Sequence, residues 1–264
     1  MEDLDLGKRK IALSIKGLRK SFDGQEVLRG IDLEIKRGEI IGYIGSNGAG
    51  KSTTVKTILG MNGDYEGTIE VLGENIEKNN EYKRRIGYVP EVADLYEALT
   101  PREFFRFLGA LYGLEEEACD RKGLSMMDVF GVKDVYDSRV TSFSKGMKQK
   151  TVIVSSLLHN PDILFFDEPL TGLDANSVMI FKDVIKSLAH RGKTIFYSSH
   201  IMEVVENISD RIVLLDNGEI RANGSFEDLK EMSKTGSLEE LFNKLTGFTD
   251  HKERSDDFLA ALED

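Results

Sequence analysis

The sequence predicts an α/β fold: a mostly parallel sheet, an antiparallel β subdomain at the N-terminal end, and a helical subdomain inserted in the middle. Three observations carry this expectation. Strand-type and helix-type segments alternate at both ends of the chain, as they do where parallel strands are joined through helices. One strand, "DILFF", is apolar throughout, which suits a strand covered on both faces. Between the two alternating regions, residues 91–151 carry mainly helical patterning.

Taken in order, "IALSIKGL", "VLRGIDLEI" and "EIIGYIG" are short β-type runs separated by Gly-containing turns. The third leads through glycines into "AGKSTTVKTILGM", where Val55, Ile58 and Leu59 recur at helical spacing. That unit reads as strand, glycine loop, helix. "TIEVLG" and "RIGYVPE" supply further strand signals. At "TPRE", Thr100 is placed to N-cap a helix, with Pro101 at its first position and Glu103 closing a capping box. Behind it Phe104, Phe107, Leu108 and Leu111 share one face, which is expected to pack into the core. In "FSKGM", Ser144 stands where a helix N-cap belongs. After "DILFF" a helix is expected over 175–191, ended by Gly192. Strand "TIFYSS", a short helix after His200 and strand "RIVLLD" follow, and the Asn-Gly of "DNGE" predicts a hairpin turn. Residues 233–264, with "SLEELFNKL" and "DFLAAL" joined by a charged linker, are expected to form a solvated helical tail. The resulting division is 1–90 with 152–232 as core and β subdomain, 91–151 as helical subdomain, and 233–264 as tail.

A chain of 264 residues with 40% hydrophobic composition suffices for one large core with a minor subdomain. Its 46 acidic against 35 basic residues give a formal charge of -11 and a pI near 5.0. That balance argues against nucleic acid as the main partner and gives no polybasic footing on an anionic membrane. The single cysteine, Cys119, cannot form an internal disulfide and suits a reducing cytosol. No apolar run approaches the ~18 residues of a membrane span, and "MEDLDLGKRKIALSI" does not read as a signal peptide. A soluble intracellular protein is expected, with any membrane role exercised through a partner.

Chemistry concentrates at three points. "GSNGAGKS", Gly45 to Ser52, fits G-x-x-x-x-G-K-[ST]. Its glycines let successive N–H groups curl around phosphate oxygens at a helix N-terminus. Lys51 is expected to reach the β- and γ-phosphates and Ser52 to coordinate Mg²⁺. In "ILFFDEP" the apolar run ends on Asp167 and Glu168, at the sheet edge where open α/β folds bind ligands. Asp167 is expected to hold Mg²⁺ through its water shell, and Glu168 to polarise an attacking water. His200 ends the next strand and stands within reach of a γ-phosphate on the same edge.

Together these residues resemble the nucleotide-binding subunit of an ATP-binding cassette transporter, across residues 11–232. The phosphate loop, "FSKGM", "ILFFDEP", "TGLDA" and "SSH" stand in that family's order. The resemblance implies a P-loop NTPase core in which Gly45, Asn47, Gly48, Ala49, Gly50, Lys51, Ser52 and Thr53 hold the nucleotide. It further implies that Phe22 stacks on adenine and that Glu168 and His200 serve catalysis. Ser52, Asp167 and Glu91 are implied at the metal, although most of the family has glutamine where Glu91 stands. Ser144 and Gly146 match a signature of the form L-S-G-G-Q that touches ATP held by another subunit, while Lys145 and Met147 depart from it. Asp174, in "TGLDA", matches a loop that faces the same neighbour. ATP and Mg²⁺ are the implied cofactors. The implied partners are an integral-membrane permease subunit and a second nucleotide-binding domain, as homodimer or heterodimer, with no nucleic acid. The implied place is the cytoplasmic face of the cell membrane. Similarity to bacterial exporter ATPases points to ATP hydrolysis that powers export. Two alternatives stand beside it: a soluble cassette ATPase acting on DNA ends or ribosomes, and a non-hydrolysing nucleotide switch.

Overall fold

A computed structural model describes residues 10–233 and 236–247. Their strands are β1 (Ile11–Phe22), β2 (Gln25–Lys36), β3 (Ile40–Gly45), β4 (Tyr65–Val71) and β5 (Glu74–Asn75) in the first part of the chain. β6 (Ile86–Val89), β7 (Ile163–Asp167), β8 (Thr194–Ser198), β9 (Arg211–Asp216) and β10 (Glu219–Gly224) follow. The helices are α1 (Lys51–Ile58), α2 (Pro101–Leu111), α3 (Glu116–Val129), α4 (Lys145–Leu157), α5 (Ala175–His190), α6 (Met202–Ile208), α7 (Phe226–Ser233) and α8 (Leu238–Thr246).

Two sheets result. β2-β1-β4-β5 is antiparallel and forms the N-terminal β subdomain. The second sheet has the order β10-β9-β3-β8-β7-β6 and is parallel except for β10. Every residue of β3, β7 and β8 is buried, which is why β3 and β7, up to its terminal Asp167, read as apolar runs. Their alternating side chains serve two cores. Ile44, Phe166 and Tyr197 pack with the helices, while Tyr43, Phe165 and Phe196 pack toward the β subdomain with Leu13, Ile15 and Ile31. The β9–β10 hairpin turns through Asn217 and Gly218, both at positive φ (49° and 78°), as the Asn-Gly pair demands.

The α2 cap forms as expected. Glu103 N donates to Thr100 Oγ1 at 3.2 Å, and Thr100 N donates to Glu103 Oε2 at 2.8 Å. The apolar face of α2 forms only in part, with Leu108 packed against the core as expected. Phe104 is buried, but Phe107 and Leu111 are 46% and 59% exposed, and Phe105 is the fully buried aromatic. Helix packing explains the rotation. A β-carbon on Gly109 would stand 2.1 Å from Cys119 Sγ, and one on Gly123 would stand 2.4 Å from the Phe105 ring. α2 and α3 therefore meet along their glycines, on a face that an apolar count does not find.

The C-terminal part also differs from expectation. Ser237 caps α8, and Leu238 and Leu241 are buried in the same core cluster as Val204, Val205 and Ile208 of α6. This segment is packed because its apolar residues at helical spacing find a surface on α6 and α7. "DFLAAL" lies outside the described residues.

Where the helical region meets the core, His159 stacks on Tyr112, with ring centroids 3.8 Å apart and planes 10° off parallel. Its Nε2–H donates to the Ile86 carbonyl oxygen at 2.9 Å. Burial pushes the imidazole below its ordinary pKa, opposed by the Ile86 bond and reinforced by Lys122 and Lys193. The unfolded chain then takes up the proton at higher pH than the folded one, so this contribution to stability is complete above the ordinary histidine range and is lost on acidification. The thermal midpoint is expected to fall between about pH 7.5 and about pH 5.5. His159→Gln is expected to make that fall smaller, as read by thermal denaturation at both pH values.

Candidate functional site

Gly45 ends β3 with its backbone against the neighbouring strand, where a β-carbon would stand 2.4 Å from the Leu215 carbonyl oxygen. From there the chain turns through Gly48 (φ 83°) and Gly50 (φ 107°) into α1. At Gly50 a side chain would also strike Leu28 Cδ2 at 2.6 Å, so the loop is pressed onto β2 and glycine is required twice over. Lys51 curls back across the loop, its Nζ donating to the carbonyls of Gly45 at 2.7 Å and Ser46 at 3.1 Å. Thr54 Oγ1 donates to the Gly50 carbonyl at 3.0 Å, closing the first turn. Burial lowers the Lys51 pKa, and Glu168, Asp167 and Glu91 act against that shift as neighbouring anions.

Asp167 ends β7 at 2% exposure. The next residue, Glu168, takes a left-handed conformation (φ 48°) that few non-glycine residues adopt. Its N–H donates to the Ser198 carbonyl at 3.0 Å, tying the turn to β8. Its Oε2 accepts from His200 Nδ1 at 2.8 Å and from Ser199 Oγ at 3.3 Å. Two segments 30 positions apart in sequence thus converge because β7 and β8 are parallel neighbours with Asp167 opposite Ser198.

These groups open on one cavity of about 820 Å³. Asn47, Gly48, Gly50, Lys51, Ser52 and Thr53 form its wall on the loop side, and Glu91, Asp167, Glu168 and His200 form it on the strand side. Gly45 and Ala49 stand behind the loop, both buried. Val27 and Thr171 also line the cavity. Val27 belongs to an ordinary β-strand and carries no motif, whereas Thr171 opens the "TGLDA" stretch, in which pattern reading marks Asp174 alone. Phe22 is not part of the wall. It ends β1 at 43% exposure, with Lys20 Nζ 4.8 Å from its ring centroid.

Ser144, Gly146 and Asp174 are likewise absent from this wall. Ser144 is exposed and N-caps α4, its Oγ accepting from Met147 N at 3.3 Å. Gly146 is crowded: a β-carbon there would lie 2.5 Å from the Gly172 carbonyl oxygen. Gln149 Nε2 donates to the Pro169 carbonyl at 3.0 Å, and Lys150 pairs with Asp174 at 2.8 Å. Asp174 also N-caps α5 by accepting from Ser177 N at 2.9 Å. Lys150, and then Ser177, hold its carboxyl far below the usual carboxylate range. The N-terminal half of α4 is therefore fastened to the segment that follows Glu168, and its Ser144 and Gly146 do not line the phosphate cavity.

No cluster of three or more His, Cys, Asp or Glu side chains placed to hold a metal occurs among the described residues. The donor set of Ser52 and Asp167 beside a phosphate cradle suits Mg²⁺ nonetheless, because that ion takes few protein ligands and completes its shell with phosphate oxygens and water.

Comparison with known proteins agrees with this geometry. Residues 28–171 match the family model described as ABC transporter. The ABC transporter ATP-binding protein NatA of Bacillus subtilis is 37% identical over 219 residues, covering 82% of this chain and 89% of that protein. The linearmycin resistance ATP-binding protein LnrL of the same organism is 36% identical over 218 residues, covering 82% of this chain and 70% of that protein. A solved structure described as the ATP binding subunit of an ABC transporter superposes with a TM-score of 0.84 at 35% identity, covering 89% of this chain and 99% of that one.

Proposed function

The chain belongs to the ABC transporter family of ATP-binding proteins, and from that premise we propose that it hydrolyses Mg-ATP to drive export through a separate integral-membrane permease. The observation that carries the hydrolytic part is the Glu168–His200 pair at the edge of the cavity that Lys51 and Asp167 also line. The triphosphate lies over the N–H groups of the loop, with Lys51 released from the Gly45 and Ser46 carbonyls to meet it. Ser52, Asp167 and Glu91 would hold Mg²⁺, which supplies charge neutralisation at the phosphates. Glu168 accepts the proton of the attacking water, and His200 Nδ1–H keeps that carboxylate oriented. In this reading the exposed ring of Phe22 meets adenine, while Ser144, Gly146 and Asp174 meet the nucleotide site of a second nucleotide-binding domain.

Among the described residues no helix is long and apolar enough to cross a membrane, so transport requires a partner that does. The exposed side of α2 supports that partner's docking. Tyr96 and Phe107 stand edge to face with centroids 6.0 Å apart, and with Leu99 they line an apolar hollow of about 380 Å³. Exposed aromatic patches of this kind mark interaction sites. Outward transport is supported by the resistance role named in the LnrL relative. Phosphate release from Mg-ATP by the purified chain tests the first part. For the second, Phe107→Asp is expected to abolish recovery of an integral-membrane partner from detergent-solubilised membranes, with nucleotide binding unchanged. Recovery of no such partner by the parent chain would overturn the permease assignment.

A further inference from the structure

β8 ends on Ser198, and the chain continues through Ser199 to His200, which lines the phosphate cavity. The three residues serve Glu168 in different ways. Ser198 gives its carbonyl to the Glu168 N–H at 3.0 Å, while its Oγ is buried without a hydrogen-bond partner. Ser199 Oγ lies 3.3 Å from Glu168 Oε2, and His200 Nδ1 lies 2.8 Å from the same oxygen. Two donors thus converge on Oε2. The other oxygen, Oε1, has no hydrogen bond or ion pair among the described residues.

The direction of the Ser199 bond follows from its other partner. Ile201 N, at the start of α6, donates to Ser199 Oγ at 3.2 Å. A hydroxyl has one proton and accepts through its lone pairs, and an ionised carboxylate offers no proton. The Ser199 proton therefore goes to Oε2. The histidine contact is the shorter of the two, but its side chain is 67% exposed and shares its donor with water, whereas Ser199 is 1% exposed. Burial in a low-dielectric interior strengthens a hydrogen bond and removes that competition. Ser199 is not part of the cavity wall, so it acts on the carboxylate and not on a bound ligand.

We infer that Ser199 is a positioning residue for hydrolysis: its hydroxyl holds Glu168 Oε2, so that Oε1 is the oxygen that takes a proton from the attacking water. The inference rests on the Mg-ATP hydrolysis reading of this cavity and adds to it a second orienting donor and the reacting atom. Oε1 gains the proton as the water oxygen bonds to the γ-phosphorus. The bond from that phosphorus to the bridging oxygen breaks, and its electron pair leaves with ADP. A carboxylate held at Oε2 keeps Oε1 in one orientation toward the water, where a freely rotating one would present it in several.

The test is ATP hydrolysis by the full chain in a double-mutant cycle. Ser199→Ala is expected to lower kcat about tenfold and to move KM by less than about twofold. Glu168→Gln keeps the shape of the side chain without a proton acceptor. In that background Ser199→Ala is expected to change the single-turnover rate by less than about twofold, because no base is left to position. An unchanged kcat in Ser199→Ala overturns the inference. So does an equal loss in both backgrounds, which would mark a hydroxyl that serves only the turn into α6. Unchanged turnover in Glu168→Gln alone overturns the base assignment and this inference with it, so the two failures are read from different variants.

Discussion

Glu168→Gln is expected to lower ATP turnover by about two to four orders of magnitude, the range ascribed to loss of a general base. Glutamine has nearly the same shape, and its amide oxygen can still accept from Ser199 and His200. The left-handed turn at residue 168 is a backbone property tied to β8 through the Ser198 carbonyl, so it survives the change. What disappears is a proton acceptor and one negative charge beside Asp167 and the triphosphate. Mg-ATP binding is therefore expected to persist or to strengthen. Phosphate release and nucleotide binding, measured on the same preparation, separate the two effects. Unchanged turnover would remove the base assignment.

Gly146→Ala is expected to reduce turnover by about a hundredfold, comparable to removing one donor aimed at transition-state charge, while each chain still binds nucleotide. The added methyl would sit 2.5 Å from the Gly172 carbonyl oxygen, so the first turn of α4 must shift against the 169–174 segment. Gly146 does not line the phosphate cavity of its own chain, hence the expected split between binding and turnover. Mixing this variant with Glu168→Gln gives the sharper measurement. If α4 serves the site of a second copy, a mixed dimer contains one site with an intact Glu168 and an intact α4 turn. Turnover should then recover to about a quarter of the parent value for random pairing. No recovery would overturn the assignment of Ser144 and Gly146 to a second copy of this chain.

Much of the fold and of the cavity was legible in the sequence where the physics is local. The turn from Gly45 to Ser52 needs positive φ at Gly48 and Gly50, and that requirement is written in the residues themselves. The Thr100 cap and the Asn217-Gly218 hairpin are likewise decided within four residues. Burial on both faces makes β3 and β7 continuous apolar runs, so their place in a parallel sheet was legible too. Apolar periodicity was half right at α2, where Phe104 and Leu108 pack into the core. It selected Phe107 and Leu111, whereas the buried side was set by Gly109 and Gly123, whose value lies in the close approach they permit. It also undervalued Leu238 and Leu241, because the surface they cover belongs to α6, thirty or more positions earlier in the chain.

By itself, then, the sequence determined the strand–loop–helix that cradles phosphate, the two carboxylates at a strand end and the helix caps. Each is a backbone conformation or hydrogen bond between near neighbours. Only the tertiary structure decided that His200 meets Glu168, that Val27 and Thr171 complete the cavity, and that Ser199 reaches the same carboxylate. It also decided that Ser144 lies outside the wall of the phosphate cavity. Those relations depend on the register of β7 against β8 and on the packing of α4 over the segment after Glu168. Register and packing are set by contacts between residues far apart in the chain, and no short stretch encodes them alone.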